Sequence, residues 1–236
     1  MLDRVDHGNG LLELRLARPP VNALDAGLVQ ALTGELRAAR SGAIVLSGRP
    51  GMYSAGLDVP YLQSLDDAGL AKFWVAFSDL LRAFAQCRVP LAAAITGHAP
   101  AGGTVLGIFC DYRVASDGDF RLGLNETQVG LPLPRGIYHA YERLLGTRRA
   151  TLFALEGRLM KPAQALECGL VDEVASPAET VTRAGAWCRK LLALPAQDAV
   201  RLTLSYARAD LARRLEHEVV DPEAMTRQWR SDETQR

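Results

Sequence analysis

Apolar and polar positions alternate along this chain in two periods. Leu11–Leu16 (LLELRL) is a short apolar run that predicts a strand. It breaks at Arg18-Pro19-Pro20, because proline removes a ladder donor and pushes its predecessor out of helical geometry. From Asn22 to Arg40, Leu24, Leu28, Val29, Leu32 and Leu36 recur at helical spacing, with Asp25 as the candidate N-cap and Gly42 as the stop. Ala43–Ser47 (AIVLS) predicts a buried strand, followed by a glycine-rich loop from Gly48 to Gly56. A helix is predicted over Ala68–Cys87, with Leu70, Phe73, Trp74, Phe77, Leu80, Leu81 and Phe84 on one face. Leu91–Thr96 predicts a third strand and Thr104–Cys110 an apolar helix. Tyr112–Ala115 and Phe120–Leu122 follow as strands. Asn125–Val129, Gly136–Leu145, Arg148–Leu155 and Pro162–Cys168 read as helices, and Leu170–Val174 as a last strand.

Strands alternating with helices predict βαβ units and an α/β fold around a buried parallel sheet. After Pro177 the chain reads as helical. The expected organisation is a core over residues 1–177 and a helical region over 178–236, which belongs to the same domain and packs on the core or on another subunit. Within it, Leu211–Glu218 mixes Arg213, Arg214, Glu216 and Glu218 with Leu211 and Leu215, the pattern of a half-exposed interface helix.

Composition narrows the function class. The 236 residues carry 27 Lys+Arg and 27 Asp+Glu, so the formal net charge is zero. That argues against a general nucleic-acid binder or a polybasic membrane-surface protein, both of which need basic excess. No uninterrupted apolar stretch reaches the length of a membrane span, and MLDRVDHGNG lacks the features of a secretory leader. Cys87, Cys110, Cys168 and Cys188 lie too far apart for zinc spacing and read as reduced core thiols. The expectation is a cytoplasmic enzyme.

Three segments are candidates for chemistry. In Tyr53-Ser54-Ala55-Gly56-Leu57-Asp58, small residues directly after a strand allow close approach of a ligand to main-chain N–H groups, or simply make a tight turn. Ser54 is not in a GxSxG elbow, which argues against a serine hydrolase. Ala99-Pro100-Ala101-Gly102-Gly103-Thr104 opens an apolar helix, whose first N–H groups lack partners and favour negative charge. The same glycines also suit close helix–strand packing. In Asn125-Glu126-Thr127-Gln128, Glu126 precedes the apolar run Val129–Leu133. It is a general base of raised pKa, or a first-turn glutamate capped by Asn125. His98 reads as structural. His7, His139 and His217 have no acidic or cysteine partner at a useful spacing, so no metal site is expected. Asp111 and Arg113 are expected to tie the core helix to the next strand.

The order of these pieces is more specific than any one of them. RPPVNAL, SGRPGMYSAGLDV, ITGHAPAGGTVLGIFCDYRVAS, LGLNETQVGL and PAQALECGLVDEV together resemble the crotonase (enoyl-CoA hydratase/isomerase) superfamily, and most closely its mitochondrial-type Δ3,Δ2-enoyl-CoA isomerase branch. The resemblance covers roughly Leu11 to Pro177. It implies a spiral of β-β-α units with a C-terminal helical oligomerisation region that builds homotrimers or hexamers, and an acyl-CoA thioester as substrate. Coenzyme A is then part of the substrate, and no separate cofactor or metal is expected.

By the same resemblance, two backbone N–H groups, of Leu57 and Gly102, hold the thioester oxygen as it becomes an enolate. Glu126 is the catalytic acid–base group. Where hydratases place a second glutamate, this chain has Val105, which cannot activate water. An isomerase that shifts a 3-enoyl-CoA double bond to trans-2-enoyl-CoA through a dienolate needs only Glu126 as proton shuttle. The resemblance places CoA against the backbone of Val21, Ala23, Leu24, Ala55 and Asp58, with Arg18 as a partner for its phosphates, and the acyl chain past Val105 and Leu131. The alternatives are an enoyl-CoA hydratase or another crotonase-type acyl-CoA enzyme on the same oxyanion hole, and a non-catalytic acyl-CoA-binding protein.

Overall fold

The structure is a computed structural model and describes residues 1–217 and 221–234. Strands β1 (Leu2–Asp6) and β2 (Leu11–Leu16) lead into helix α1 (Ala26–Ala38). Then β3 (Ala43–Ser47) and the short β4 (Gly51–Met52) precede α2 (Val59–Ser64) and α3 (Asp67–Ala85). Next come β5 (Leu91–Ile95), β6 (Gly97–Pro100) and α4 (Gly102–Ile108). After β7 (Tyr112–Ser116) and β8 (Leu122–Gly123) come a 3-10 turn (Glu126–Val129) and α5 (Arg135–Glu156). Helix α6 (Pro162–Cys168), β9 (Glu173–Ala175), α7 (Thr180–Leu192), α8 (Gln197–His217) and α9 (Pro222–Trp229) complete the order.

A six-stranded sheet runs β1-β2-β3-β5-β7-β9, antiparallel only between β1 and β2, and a smaller parallel sheet runs β4-β6-β8. Three successive units thus lay one strand in the large sheet and the next in the small one before turning into helix. This is the expected spiral of β-β-α units. Alternation along the strands sorts the two faces. Ile44, Leu46, Leu91 and Ala93 face the main core with α1 and α3, while Ala43, Val45, Ala92 and Ala94 face Ala184 and Cys188 of α7. The buried thiols behave as core groups, and burial pushes Cys188 up to about 12. All four cysteines are free.

Several element boundaries differ from the sequence reading, each for a local reason. Helix α1 starts at Ala26, not Asn22, because Asn22 sits at φ 51 and Asp25 caps the helix by accepting from the Leu28 N–H at 2.8 Å. β4 has two residues and β6 four, too short for a period-2 pattern to register, and the strand expected over Phe120–Leu122 is the two-residue β8, Leu122–Gly123. The expected helices Gly136–Leu145 and Arg148–Leu155 are the two halves of α5, separated as expected at Gly146, whose φ 72 and ψ 156 are not helical. The last strand begins at Glu173, because Leu170 and Val171 are drawn back to the Ala165 carbonyl in the turn after α6.

The helical tail folds onto its own core. Helix α7 covers the strands β3, β5 and β7, and α8 and α9 pack on α3. Leu211 and Leu215, expected at a half-exposed interface, are buried, while Arg213, Arg214 and Glu216 face outward; Glu218 lies outside the described residues. The anchor of α8 is Arg208, buried to 5% exposure. Its Nε donates to Asp111 at 3.0 Å, its Nη2 reaches the Val89 carbonyl at 3.1 Å, and further bonds go to the Cys87 carbonyl and the second Asp111 oxygen. Asp111 also accepts from the Leu91 N–H, and Arg113 pairs with Asp172 at 2.6 Å, so the two residues tie strand, turn and tail together. No described helix is long and apolar enough to cross a membrane.

Candidate active site

Two loops meet at the ends of the small sheet. The first, Tyr53–Asp58, is stitched to the β2–α1 segment by a short ladder. The Ala55 N–H donates to Val21, the Leu24 N–H to Gly56 at 2.7 Å, and the Asp58 N–H to Leu24. Asn22 completes the seam, its Nδ2 donating to the Tyr53 carbonyl at 3.0 Å and its Oδ1 accepting from the Arg18 N–H. Buried Ser54 donates to the Asn22 carbonyl at 2.8 Å and accepts from the Gly56 N–H, so it is a turn builder and no nucleophile. Asn22 escaped the sequence reading; its signal was its place inside the RPPVNAL run.

The second loop is the start of α4. Its N-cap, Ala101, sits at φ 46 and ψ −121, a conformation a side chain adopts only under constraint. The Ala101 N–H donates to the Gly123 carbonyl. A Cβ on Gly103 would stand 2.2 Å from the Ser54 carbonyl, so the glycines do serve close packing. They also clear a space. Among the described residues, neither the Leu57 N–H nor the Gly102 N–H meets a protein acceptor. The second lies at the positive end of α4.

Both loops line one cavity of about 540 Å³, together with Glu126, Asn125, Val105 and Leu131. The cavity is apolar over most of its wall, and Trp74, Phe77, Leu81, Met225 and Trp229 form much of it. Glu126 opens the 3-10 turn, not an α-helix, and Asn125 makes no side-chain cap. The capped first-turn reading is therefore corrected: the Asn125 Oδ1 is itself buried without a partner. The Glu126 Oε2 is likewise buried without a partner, and burial pushes the carboxyl up to about 7. The second acid on the lining, Asp221, is largely exposed and caps α9 by accepting from the Ala224 N–H. Tyr141 on α5 is also buried with an unpartnered hydroxyl. Burial, then the charges of Cys168 and Glu126, push its phenol well up.

Other expected site residues are placed as follows. Val105 and Leu131 both reach the cavity, and so does Ala55; Val21, Ala23, Leu24 and Asp58 stand behind it in the ladder. Arg18 stands beside the same ladder, already paired. Its guanidinium pairs with Asp25 at 2.9 Å and Asp58 at 2.5 Å and donates to the Ala23 carbonyl, so two carboxylates offset its one charge. His98 is structural, its Nδ1 accepting from the Arg121 N–H and its ring edge-on to Phe120. His7 and His139 do have acidic partners. His7 lies 2.7 Å from buried Glu13 and His139 3.5 Å from Glu142. Among the described residues no group of side chains could hold a metal ion.

An unpaired carboxylate of raised proton affinity, sharing an apolar cavity with two free N–H groups, is the apparatus of carbon-acid chemistry beside a carbonyl. Comparison with known proteins agrees in class. The enoyl-CoA hydratase/isomerase family model matches residues 6–234, and the chain belongs to that family of enzymes. Human mitochondrial enoyl-CoA delta isomerase 1 is 33% identical over 216 residues, covering 89% of this chain and 71% of the human one. The "Probable enoyl-CoA hydratase echA17" of Mycobacterium avium (strain 104) is 32% identical over 204 residues, covering 85% and 77%. The crystal structure of human mitochondrial delta3-delta2-enoyl-CoA isomerase superposes with a TM-score of 0.90 at 30% identity, over 99% of this chain and 93% of that one.

Proposed function

We propose that this protein moves the double bond of a 3-enoyl-CoA to the 2-position. Glu126, as carboxylate, takes a proton from C2. The electron pair moves into the thioester, and the resulting dienolate oxygen is held by the N–H groups of Leu57 and Gly102. Protonated Glu126 returns the proton to C4, and the double bond comes to rest between C2 and C3 as the trans-2-enoyl thioester. One group takes up and returns one proton, so the sum is an isomerisation. A carboxyl group pushed up to about 7 suits both halves of that exchange near neutral pH. The backbone ladder of Val21, Ala23, Leu24, Ala55 and Asp58 is the proposed platform for the CoA moiety. Arg18 is assigned to bracing that platform through Asp25 and Asp58.

The observation that carries this reading is the pairing of Glu126 with apolar Val105. Both line the cavity and Val105 is 1% exposed, so among the described residues no second buried carboxylate lines it to activate water. Hydration is the second reading, favoured by the similarly distant relative named as a hydratase. Purified protein given 3-hexenoyl-CoA and crotonyl-CoA in parallel separates the two. Isomerisation is expected to exceed hydration by orders of magnitude, and equal rates would overturn the proposal. The proposed homotrimer or hexamer draws support from Leu202 and Tyr206, apolar side chains that α8 leaves exposed. Light scattering checks it, and a clean monomer is the contrary result.

A further inference from the structure

The cavity is far larger than the reacting atoms need. Its volume is about 540 Å³ and most of its wall is apolar, which gives room for an acyl chain beyond the reacting carbons.

Its walls come from two distant regions of the fold. Leu57, Gly102 and Glu126 form the reacting side, on elements that pack against α5 and the strands. Trp74, Phe77, Met225 and Trp229 form the other, on α3 and α9, which pack on each other, with α3 also packed on α1 and α8. Where these helices cross, the indoles of Trp74 and Trp229 meet edge to face, ring centroids 5.8 Å apart at 62°. Both are nearly inaccessible, at 4% and 2% exposure. Phe73 backs Trp74 at 5.3 Å, so the pair cannot swing outward without disturbing the core. The C-terminal segment is strapped to the loop after the 3-10 turn, since Gln228 and Thr234 both donate to the Gly130 carbonyl.

We propose that the Trp74–Trp229 pair closes the cavity against long acyl chains, so that the site takes thioesters only up to a limiting chain length. This rests on reading the site as an acyl-CoA site. A chain that fills the cavity displaces water from apolar wall at each added methylene. One that overruns it must force the packed indoles away from each other.

The test is calorimetric binding of unreactive saturated acyl-CoA esters, from four to sixteen carbons, to the full chain. Affinity is expected to rise about fourfold per methylene up to a limiting length and to have fallen by sixteen carbons. Trp229→Ala is expected to move that break to longer chains, while Trp229→Phe, which refills most of the volume, restores it. Should the alanine variant fail to fold, Trp229→Leu serves in its place. In turnover of 3-enoyl-CoA esters the break is expected in KM, not kcat. A flat affinity series, an unbroken rise through sixteen carbons, or a break unmoved by the variants overturns the proposal. Binding with the expected break but without isomerisation would sink the reaction and leave the chain-length assignment standing. No binding at any length would sink both.

Discussion

Gly56 and Gly102 lie back to back. A methyl group on Gly56 would stand 2.8 Å from the Gly102 nitrogen, and one on Gly102 would stand 2.8 Å from the Gly56 Cα. Real Cβ atoms do not approach backbone that closely, so the two loops meet only because both residues lack a side chain. The contact holds the two unpartnered N–H groups, of Leu57 and Gly102, in one cavity. Gly102→Ala is therefore expected to push the loops apart and cost about 100- to 1,000-fold in kcat, the range for a lost oxyanion donor. Circular dichroism should show the fold retained, and near-normal turnover would reject the donor assignment.

Glu126 must be ionised to take the first proton, and burial pushes it up to about 7. Activity, followed as kcat/KM, is expected to rise with pH through about 7 and then level. Glu126→Gln should abolish the isomerisation and retain binding of a saturated ester. A rate that has already levelled off just above pH 4–5, the ordinary carboxylate range, would remove the desolvated base from the mechanism.

The same burial predicts a stability effect of definite sign. A carboxyl whose folded pKa is raised holds its proton more tightly folded than unfolded. The protein therefore loses stability as pH rises from about 4.5 towards about 7. The full shift corresponds to roughly 3 kcal/mol. Glu126→Gln removes the penalty, so the variant should melt several degrees higher than the wild type at pH 8 and nearly the same at pH 4.5. Equal melting at both pH values would show that the site is wetter than its burial implies.

Arg208 is the anchor of the helical tail, and Asp111 is its charge partner. Arg208→Ala leaves the Asp111 carboxylate short of its cation and two carbonyls short of donors. The expected loss is about 3 kcal/mol, or roughly 10 °C in melting temperature. Limited proteolysis should then cut first in the tail. The double variant Arg208→Met with Asp111→Asn should recover some of the loss. A recovery of nothing would mean that the ion pair is incidental to the anchoring.

Much of this arrangement was legible in the chain itself. Asp25 as N-cap, the apolar stripe of α3 and the bounds of α6 follow from local periodicity and capping, which depend on neighbours in sequence. Leu57, Gly102 and Glu126 were singled out by motif order, and the fold brings all three to one cavity. Arg18 shows the limit of such reading. A motif names a cation, but Asp25 and Asp58, which take up its donors, are brought to it by the folding of two loops. Of the small sheet only β8 was foreshadowed, by the strand read over Phe120–Leu122; β4 and β6 escaped for the same reason, since two or four residues carry no period of their own and pair only because the large sheet sets them side by side.

By itself, then, the sequence determined the alternation of strands with helices, the glycine pair and the single glutamate beside an apolar run. These are local patterns, and local sterics and hydrogen bonding suffice to produce them. Only the tertiary structure decided that the tail returns over its own core and that Trp229 meets Trp74 in the cavity wall. It also decided how tightly Glu126 holds its proton. Proton affinity is a property of the solvent a group has lost, and what displaces that solvent here is residues from distant stretches of the chain packed around one carboxylate.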